Sequence, residues 1–214
     1  KHVVVTAGAT REAVDPVRFI SNHSSGRMGI AIAEAAWRRG ADVTLVVGHV
    51  DVTVGTGPHV VRTESVDQMS AAVADALPRA DALIMAAAPA DFKPARIADK
   101  KISKRQDTLG MSIDLAPTTD ILRATLPLRP PGAIIVGFAL ETGDALVKAT
   151  AKLKEKALDM IVVNDALEEG AGFGVETNRV SILTPNGATE TLPLMSKAAV
   201  ADAILDRLGP LLGR

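Results

Sequence analysis

Three stretches of this sequence gather side chains suited to a phosphorylated ligand. The first is Ser21-Asn22-His23-Ser24-Ser25-Gly26-Arg27-Met28-Gly29, with Ser24, Ser25 and Gly26 at the point where a helix should begin. Free backbone N–H groups and hydroxyls at a helix start form an anion site. Simple N-capping with a tight turn would use the same residues, so the pattern leaves both readings open. The second stretch is Ala86-Ala87-Ala88-Pro89-Ala90-Asp91-Phe92-Lys93-Pro94, followed by Lys100-Lys101-Ile102-Ser103-Lys104. Asp91, just past a strand end, can hold a metal or a hydroxyl. Lys101 and Lys104 can act as flexible phosphate clamps, or as a solvated charge run. The third is Lys148, Lys152 and Lys156, at i, i+4 and i+8 on one helix. They would converge on an anion if their face meets a cleft. Otherwise they form a solvated face opposite Leu146 and Leu153.

Other chemistries are disfavoured by what is missing. The 214 residues contain no cysteine, which removes disulfides, thiol nucleophiles and Cys-ligated metals. There is no tyrosine to serve as a phenolic acid or base. His2, His23, His49 and His59 are scattered, so a histidine-based metal site is not expected. No G-x-S-x-G elbow, G-x-G-x-x-G run or Gly-Lys-Ser/Thr motif occurs, which argues against a serine hydrolase, a standard NAD(P) dehydrogenase and a Walker A nucleotidase. Lys+Arg is 24 against 25 Asp+Glu, giving a net charge of −1. With aromatic residues at 2%, a nucleic-acid surface built on charge and stacking is not expected. No apolar run is long enough for a membrane span, and no signal peptide is visible. The chain opens on Lys1 rather than Met, which points to a piece of a longer chain.

Strands and helices must position these groups. Strands are predicted at His2–Thr6, Ala41–Val47, His59–Thr63, Ala82–Ala88, Ala133–Phe138 and Met160–Val163. Helices are predicted over Ser25–Arg39, after the capping box Ser65-Val66-Asp67-Gln68, and over Asp144–Leu158. Continuous apolar strands alternating with amphipathic helices predict an open, Rossmann-like, mainly parallel α/β sheet with helices on both faces. Arg179–Leu183 and Thr189–Leu192, around Pro185-Asn186-Gly187, read as a C-terminal β-hairpin before a last helix after Ser196. Residues 1–214 are read as one domain. Three long loops, Ala7–Ser24, Pro89–Leu115 and Asn164–Asn178, follow strands and should all reach the ligand end of the sheet.

At these loops a family resemblance emerges. Thr6-Ala7-Gly8-Ala9-Thr10-Arg11-Glu12, Asp15 through Gly29, Ala90-Asp91-Phe92-Lys93-Pro94, Lys100-Lys101-Ile102-Ser103-Lys104, Pro117–Leu122, Val136-Gly137-Phe138-Ala139 and Val162-Val163-Asn164-Asp165 occur in that order. Together they resemble the phosphopantothenate–cysteine ligases over essentially the whole chain.

That resemblance implies ligation of 4′-phosphopantothenate with L-cysteine in coenzyme A biosynthesis. The carboxylate attacks the α-phosphate of CTP, giving an acyl-cytidylate and pyrophosphate. The cysteine amine then displaces CMP. CTP is a substrate, Mg²⁺ a cofactor, and flavin would belong to a decarboxylase domain fused upstream. The family pattern places Gly8, Ser24, Ser25, Gly26, Ala88, Asp91, Lys101, Thr119, Asp120, Ile121, Leu122, Phe138, Lys152 and Lys156 around the nucleotide. It places Arg11, Arg18, Asn22 and Asn164 at the substrate. Asn22 and Lys101 are its catalytic candidates, with Lys100 and Lys104 as neighbours in the same run. It also implies a cytoplasmic homodimer, with Gln106–Leu115 as part of an arm reaching the other protomer. A Rossmann-type NAD(P) oxidoreductase and a non-catalytic nucleotide-binding domain are the competing expectations.

Overall fold

The computed structural model describes residues 1–103, 110–165, 168, 170, 172 and 174–213. In chain order the first half holds β1 (His2–Ala7), β2 (Arg11–Ala13), β3 (Phe19–Ser21), α1 (Arg27–Arg38), β4 (Asp42–Val47), β5 (His59–Arg62), α2 (Val66–Ala76) and β6 (Ala82–Met85). Then come β7 (Phe92–Pro94), β8 (Leu115–Pro117), α3 (Ile121–Ala124), β9 (Ile134–Glu141), α4 (Ala145–Glu155) and β10 (Met160–Asp165). The chain ends with β11 (Thr177–Asn178), β12 (Ser181–Leu183), β13 (Thr189–Thr191), β14 (Met195–Ser196) and α5 (Lys197–Leu212).

Eight strands form one sheet in the order β13-β12-β10-β9-β6-β1-β4-β5. From β10 to β5 every pairing is parallel, and β12 and β13 add an antiparallel edge. The chain runs outward from β1 to β4 and β5, then returns to β6 on the other side of β1. The order therefore reverses between β1 and β6, the place where such sheets leave a crevice at their strand ends.

Strand β1 shows why its run is apolar throughout. Val3, Val5 and Ala7 pack with α1 and α5 on one face, while Val4 packs with α2 on the other. A strand buried on both faces has no polar side to alternate with. Helix α2 begins as its capping box predicts: Ser65 Oγ accepts from Gln68 N, and the Gln68 side chain accepts from Glu64 N. The C-terminal hairpin and final helix are also present.

Several predicted boundaries move, among them α4, which ends at Glu155 rather than Leu158, and β10, which runs to Asp165 rather than Val163. Strand β6 stops at Met85 rather than Ala88, because Ala87 N turns to Thr6 Oγ1 (3.0 Å) and Ala88 N to the Gly8 carbonyl (2.8 Å). Strand β9 runs on to Glu141, since β10 pairs alongside it through Asp165↔Glu141. The long loops also contain structure that periodicity did not show. β2 pairs with β3 in the first, and β7 with β8 in the second. Runs of three residues are too short to display a period.

Candidate functional site

A cleft of about 340 Å³ lies over the C-terminal ends of β1, β6, β9 and β10. All three long loops contribute to it, through Ser24 and Ser25, Pro89 to Asp91, and Asn164, Gly172 and Asn178.

Its floor is the turn into α1. Gly26 has φ +79°, and a Cβ there would stand 2.2 Å from Val50 Cγ1. Gly8 has φ +83°, and a Cβ there would meet the His49 carbonyl at 2.3 Å. Gly29 lets α1 press on β1, since its Cβ would fall 2.6 Å from the Thr6 carbonyl. Two left-handed turns and one close helix–strand contact thus depend on glycine, an arrangement similar to the glycines of a dinucleotide fingerprint. The segment bearing the β2–β3 ribbon is spliced between the first and the second. That splice hides the pattern from a motif search. Ser24 and Ser25 are buried, yet among the described residues no side chain caps α1, and its first turn holds no acidic residue. Ser24 Oγ instead accepts from Gly26 N at 3.4 Å. That bond belongs to the tight turn, while among the described residues no side chain accepts from the first-turn N–H groups of α1.

The second loop is pinned from both sides. Ala90 N donates to Thr10 Oγ1 (2.9 Å), and Thr118 Oγ1 donates to the Ala90 carbonyl (2.5 Å). The Asn22 amide donates to the carbonyls of Ala88 (3.2 Å) and Pro89 (3.0 Å). Ala88 and Asp91 thus belong to a fixed wall. Next to it, Thr119, Asp120, Ile121 and Leu122 line the cleft, with Asp120 Oδ1 accepting from Arg123 N at the start of α3. Phe138, from β9, lies half-buried in the lining.

The lysine stripe divides. Lys152 and Lys156 line the cleft and Lys148 does not. Lys152 Nζ lies 2.6 Å from Glu141 Oε1, Lys148 Nζ 3.4 Å from Glu141 Oε2, and Lys156 Nζ 3.0 Å from Asp120 Oδ2. Burial pushes the Glu141 carboxyl up, but the two ammoniums outweigh it and hold it below its ordinary value. An incoming anion would compete with these carboxylates for Lys152 and Lys156.

Sequence reasoning missed Asn178 and Lys197, both buried in the lining. Lys197 had left a signal: a lysine in the first turn of α5 faces the positive end of the helix dipole.

Five predicted residues are not in the lining. Gly8 is buried beneath it. Asn22 stands behind its Ala88–Pro89 wall. The Arg11 guanidinium stacks over the Phe19 ring at 4.4 Å, with Nε buried and unpartnered. Arg18 is held by Asp15 through Nε (3.0 Å) and Nη2, and Nη2 also donates to the Ile102 carbonyl (2.6 Å). Lys101, next to Ile102, is exposed. Lys104 and residues 106–109 of the expected arm lie outside the described residues. Among the described residues, no group of three His, Asp or Glu side chains converges as a metal cage. Asp91 and Asp120 are the carboxylates on the cleft wall. One or two carboxylates beside ligand phosphates suit Mg²⁺, which rarely takes an all-protein cage.

Comparison with known proteins places this geometry in a family. Residues 1–211 match the family model described as the DNA/pantothenate metabolism flavoprotein C-terminal domain. The chain is 45% identical, over 99% of its length, to the coenzyme A biosynthesis bifunctional protein CoaBC of Bacillus subtilis, covering 52% of that protein. It is 44% identical, over 97% of its length, to a cysteine/cysteine sulfinic acid decarboxylase from an unknown prokaryotic organism, covering 58% of it. The chain thus spans about half the length of the curated relatives it matches. Among solved structures it resembles the C-terminal domain of a CoaBC protein, with a TM-score of 0.83 and 36% identity, covering 100% of this chain and 96% of that one.

Proposed function

The chain belongs to the DNA/pantothenate metabolism flavoprotein C-terminal domain family, and from that premise we propose that residues 1–214 act as one ligase domain of coenzyme A biosynthesis. It joins 4′-phosphopantothenate to L-cysteine at the cost of CTP. The observation that carries this reading is the cleft itself: an uncapped helix start, buried serines and lysines at the switch point between β1 and β6.

The reaction needs these features. The 4′-phosphopantothenate carboxylate attacks the α-phosphorus, an acyl–O–P bond forms, and the bond to pyrophosphate breaks. The cysteine amine then attacks the acyl carbon, CMP leaves with the ester oxygen, and the amine proton passes to solvent or base. The first step gathers negative charge on the transferring phosphate, so fixed donors and cations lower its barrier. The first-turn N–H groups of α1, with Ser24 and Ser25, receive the triphosphate. Lys152 and Lys156 exchange their carboxylate partners for ligand oxygens. Asp91 and the run Thr119 to Leu122 flank the nucleoside, with Phe138 beside it. Asp91, on the cleft wall, would help the ligand phosphates hold Mg²⁺, which when bound would supply further charge neutralisation. Lys101, exposed on the loop beside Ile102, moves onto the cleft as the chain closes over its ligands. Asn22, behind the Ala88–Pro89 wall, and Asn164, in the cleft lining at the end of β10, orient the acylated intermediate. Arg11 and Arg18 serve the substrate through the ribbon they stiffen.

Two further expectations complete the proposal. Exposed Val17, Phe19, Phe92, Ile97, Met111 and Leu115 suit an interface with a second copy of this chain. The relatives' greater length suits a decarboxylase domain fused upstream, which would hold any flavin, in a cytoplasmic protein.

The test is pyrophosphate release with 4′-phosphopantothenate, Mg²⁺ and either CTP or ATP, each with and without cysteine. Release that requires phosphopantothenate and prefers CTP supports the reading. Binding of NADPH with no release from either nucleotide would favour an oxidoreductase instead. CTP binding without release would leave a nucleotide-binding domain.

A further inference from the structure

Lys197 is the buried cation of the cleft that the ligase reading leaves without a role. It opens α5, is 7% exposed, and lines the cleft beside Arg27. An ammonium in that setting is costly twice over, from lost hydration and from the helix dipole. Its Nζ donates to the carbonyls of Gly172 (2.9 Å) and Val175 (2.7 Å). Both acceptors are neutral, and an ammonium has a third donor. Among the described residues, no carboxylate lies within ion-pairing distance of Nζ. Glu176 is drawn instead to Arg27, at 2.5 Å. Lys152 and Lys156, by contrast, each have a carboxylate partner.

The setting of Lys197 also suits an anion. Burial pushes its pKa down, the Arg27 guanidinium adds to this, and Glu176 only partly opposes it. The two cations stand with the uncapped start of α1 on the face of the sheet covered by α1 and α5. Lys152 and Lys156 stand on the other face, with α3 and α4. The cleft therefore has two cationic poles.

We propose that Lys197 is a phosphate-binding residue: held by the Gly172 and Val175 carbonyls, it donates its remaining N–H to a phosphate seated beside Arg27 and the start of α1. The source of that phosphate rests on the ligase reading. It is either the nucleotide's polyphosphate tail or the phosphorylated acid.

Calorimetric titration of the full chain with inorganic pyrophosphate, 4′-phosphopantothenate and CMP tests this in wild type, Lys197→Met and Arg27→Gln. Lys197→Met should weaken pyrophosphate or phosphopantothenate binding by about tenfold or more, as expected for one charge-assisted hydrogen bond. CMP binding should stay within about threefold. Loss on pyrophosphate identifies the polyphosphate tail, and loss on phosphopantothenate identifies the acid. Arg27→Gln, at a half-buried position, should weaken the same ligand by a smaller factor. Unchanged binding of both phosphorylated probes by Lys197→Met overturns the proposal, as does an equal loss of all three, which marks a loop clamp. If Lys197→Met does not fold, unchanged binding by Arg27→Gln overturns it. Wild-type protein that binds pyrophosphate but neither CTP nor phosphopantothenate would instead sink the ligase reading alone.

Discussion

Asp15 grips Arg18 by Nε at 3.0 Å and by Nη2, while the same carboxylate accepts Ile102 N at 3.0 Å. One buried side chain thus ties the β2–β3 ribbon to the segment carrying Lys100 and Lys101. The Arg18 guanidinium beside it, then the Ile102 amide, hold the Asp15 carboxyl well below the usual carboxylate range. Arg18, which the family resemblance places at the substrate, here braces the ribbon through Asp15 and Ile102.

Asp15→Asn should therefore loosen residues 100–103. Proteolysis there should quicken, and the KM for the acid or nucleotide should rise by about tenfold with a smaller change in melting temperature. The pH dependence has a fixed sign. A carboxyl with a lowered folded-state pKa contributes stability that is complete above its ordinary value of 3.8 and is lost as pH falls through the folded value. Acid unfolding of wild type below about pH 4 should be steeper than that of Asp15→Asn. Coincident acid transitions would show that the carboxylate is not linked to folding.

Asn22→Asp replaces a double donor with an acceptor that faces the Ala88 and Pro89 carbonyls. The wall should shift and the intermediate should be misplaced for the amine. We expect overall turnover to fall by about 10- to 100-fold while acyl-cytidylate accumulates, read by quenched-flow analysis of labelled nucleotide. Undiminished formation of the cysteine adduct would remove Asn22 from the second step.

Lys101→Gln should leave the melting temperature unchanged, because the residue is exposed. Pyrophosphate release should slow by about 100-fold, the scale of losing a charge partner in the transition state. Near-normal release would move the catalytic role to Lys100 or Lys104.

Gly26→Ala meets both a left-handed backbone, at φ +79°, and Val50 Cγ1 at 2.2 Å. The backbone strain alone costs about 1–2 kcal/mol. The variant should melt lower and lose nucleotide affinity together, as the floor of the cleft moves. A variant with the wild-type melting temperature would show that the turn relaxes freely.

Local chemistry made much of this protein legible in its sequence. Val3, Val4 and Val5 announce a strand buried on both faces, and Ser65 and Gln68 announce the start of α2, because each signal spans only a turn or a few residues. Ser24-Ser25-Gly26 and Asp91 could be picked out because they stand at a helix start and just past a strand end, Phe138 entered through the family resemblance, and the fold brings them all to one cleft. Tertiary structure decided what no local pattern encodes. Gly8 and Gly26 make one turn across an inserted ribbon. The lysines spaced along α4 divide by where each falls against the cleft, Lys152 and Lys156 in its lining and Lys148 outside it. Arg18 turns to Asp15 and Ile102 rather than to the cleft. Lys197 becomes a buried cleft cation only where the Gly172 and Val175 carbonyls meet the start of α5. Each depends on side chains meeting backbone from another element, and such contacts have no period along the chain.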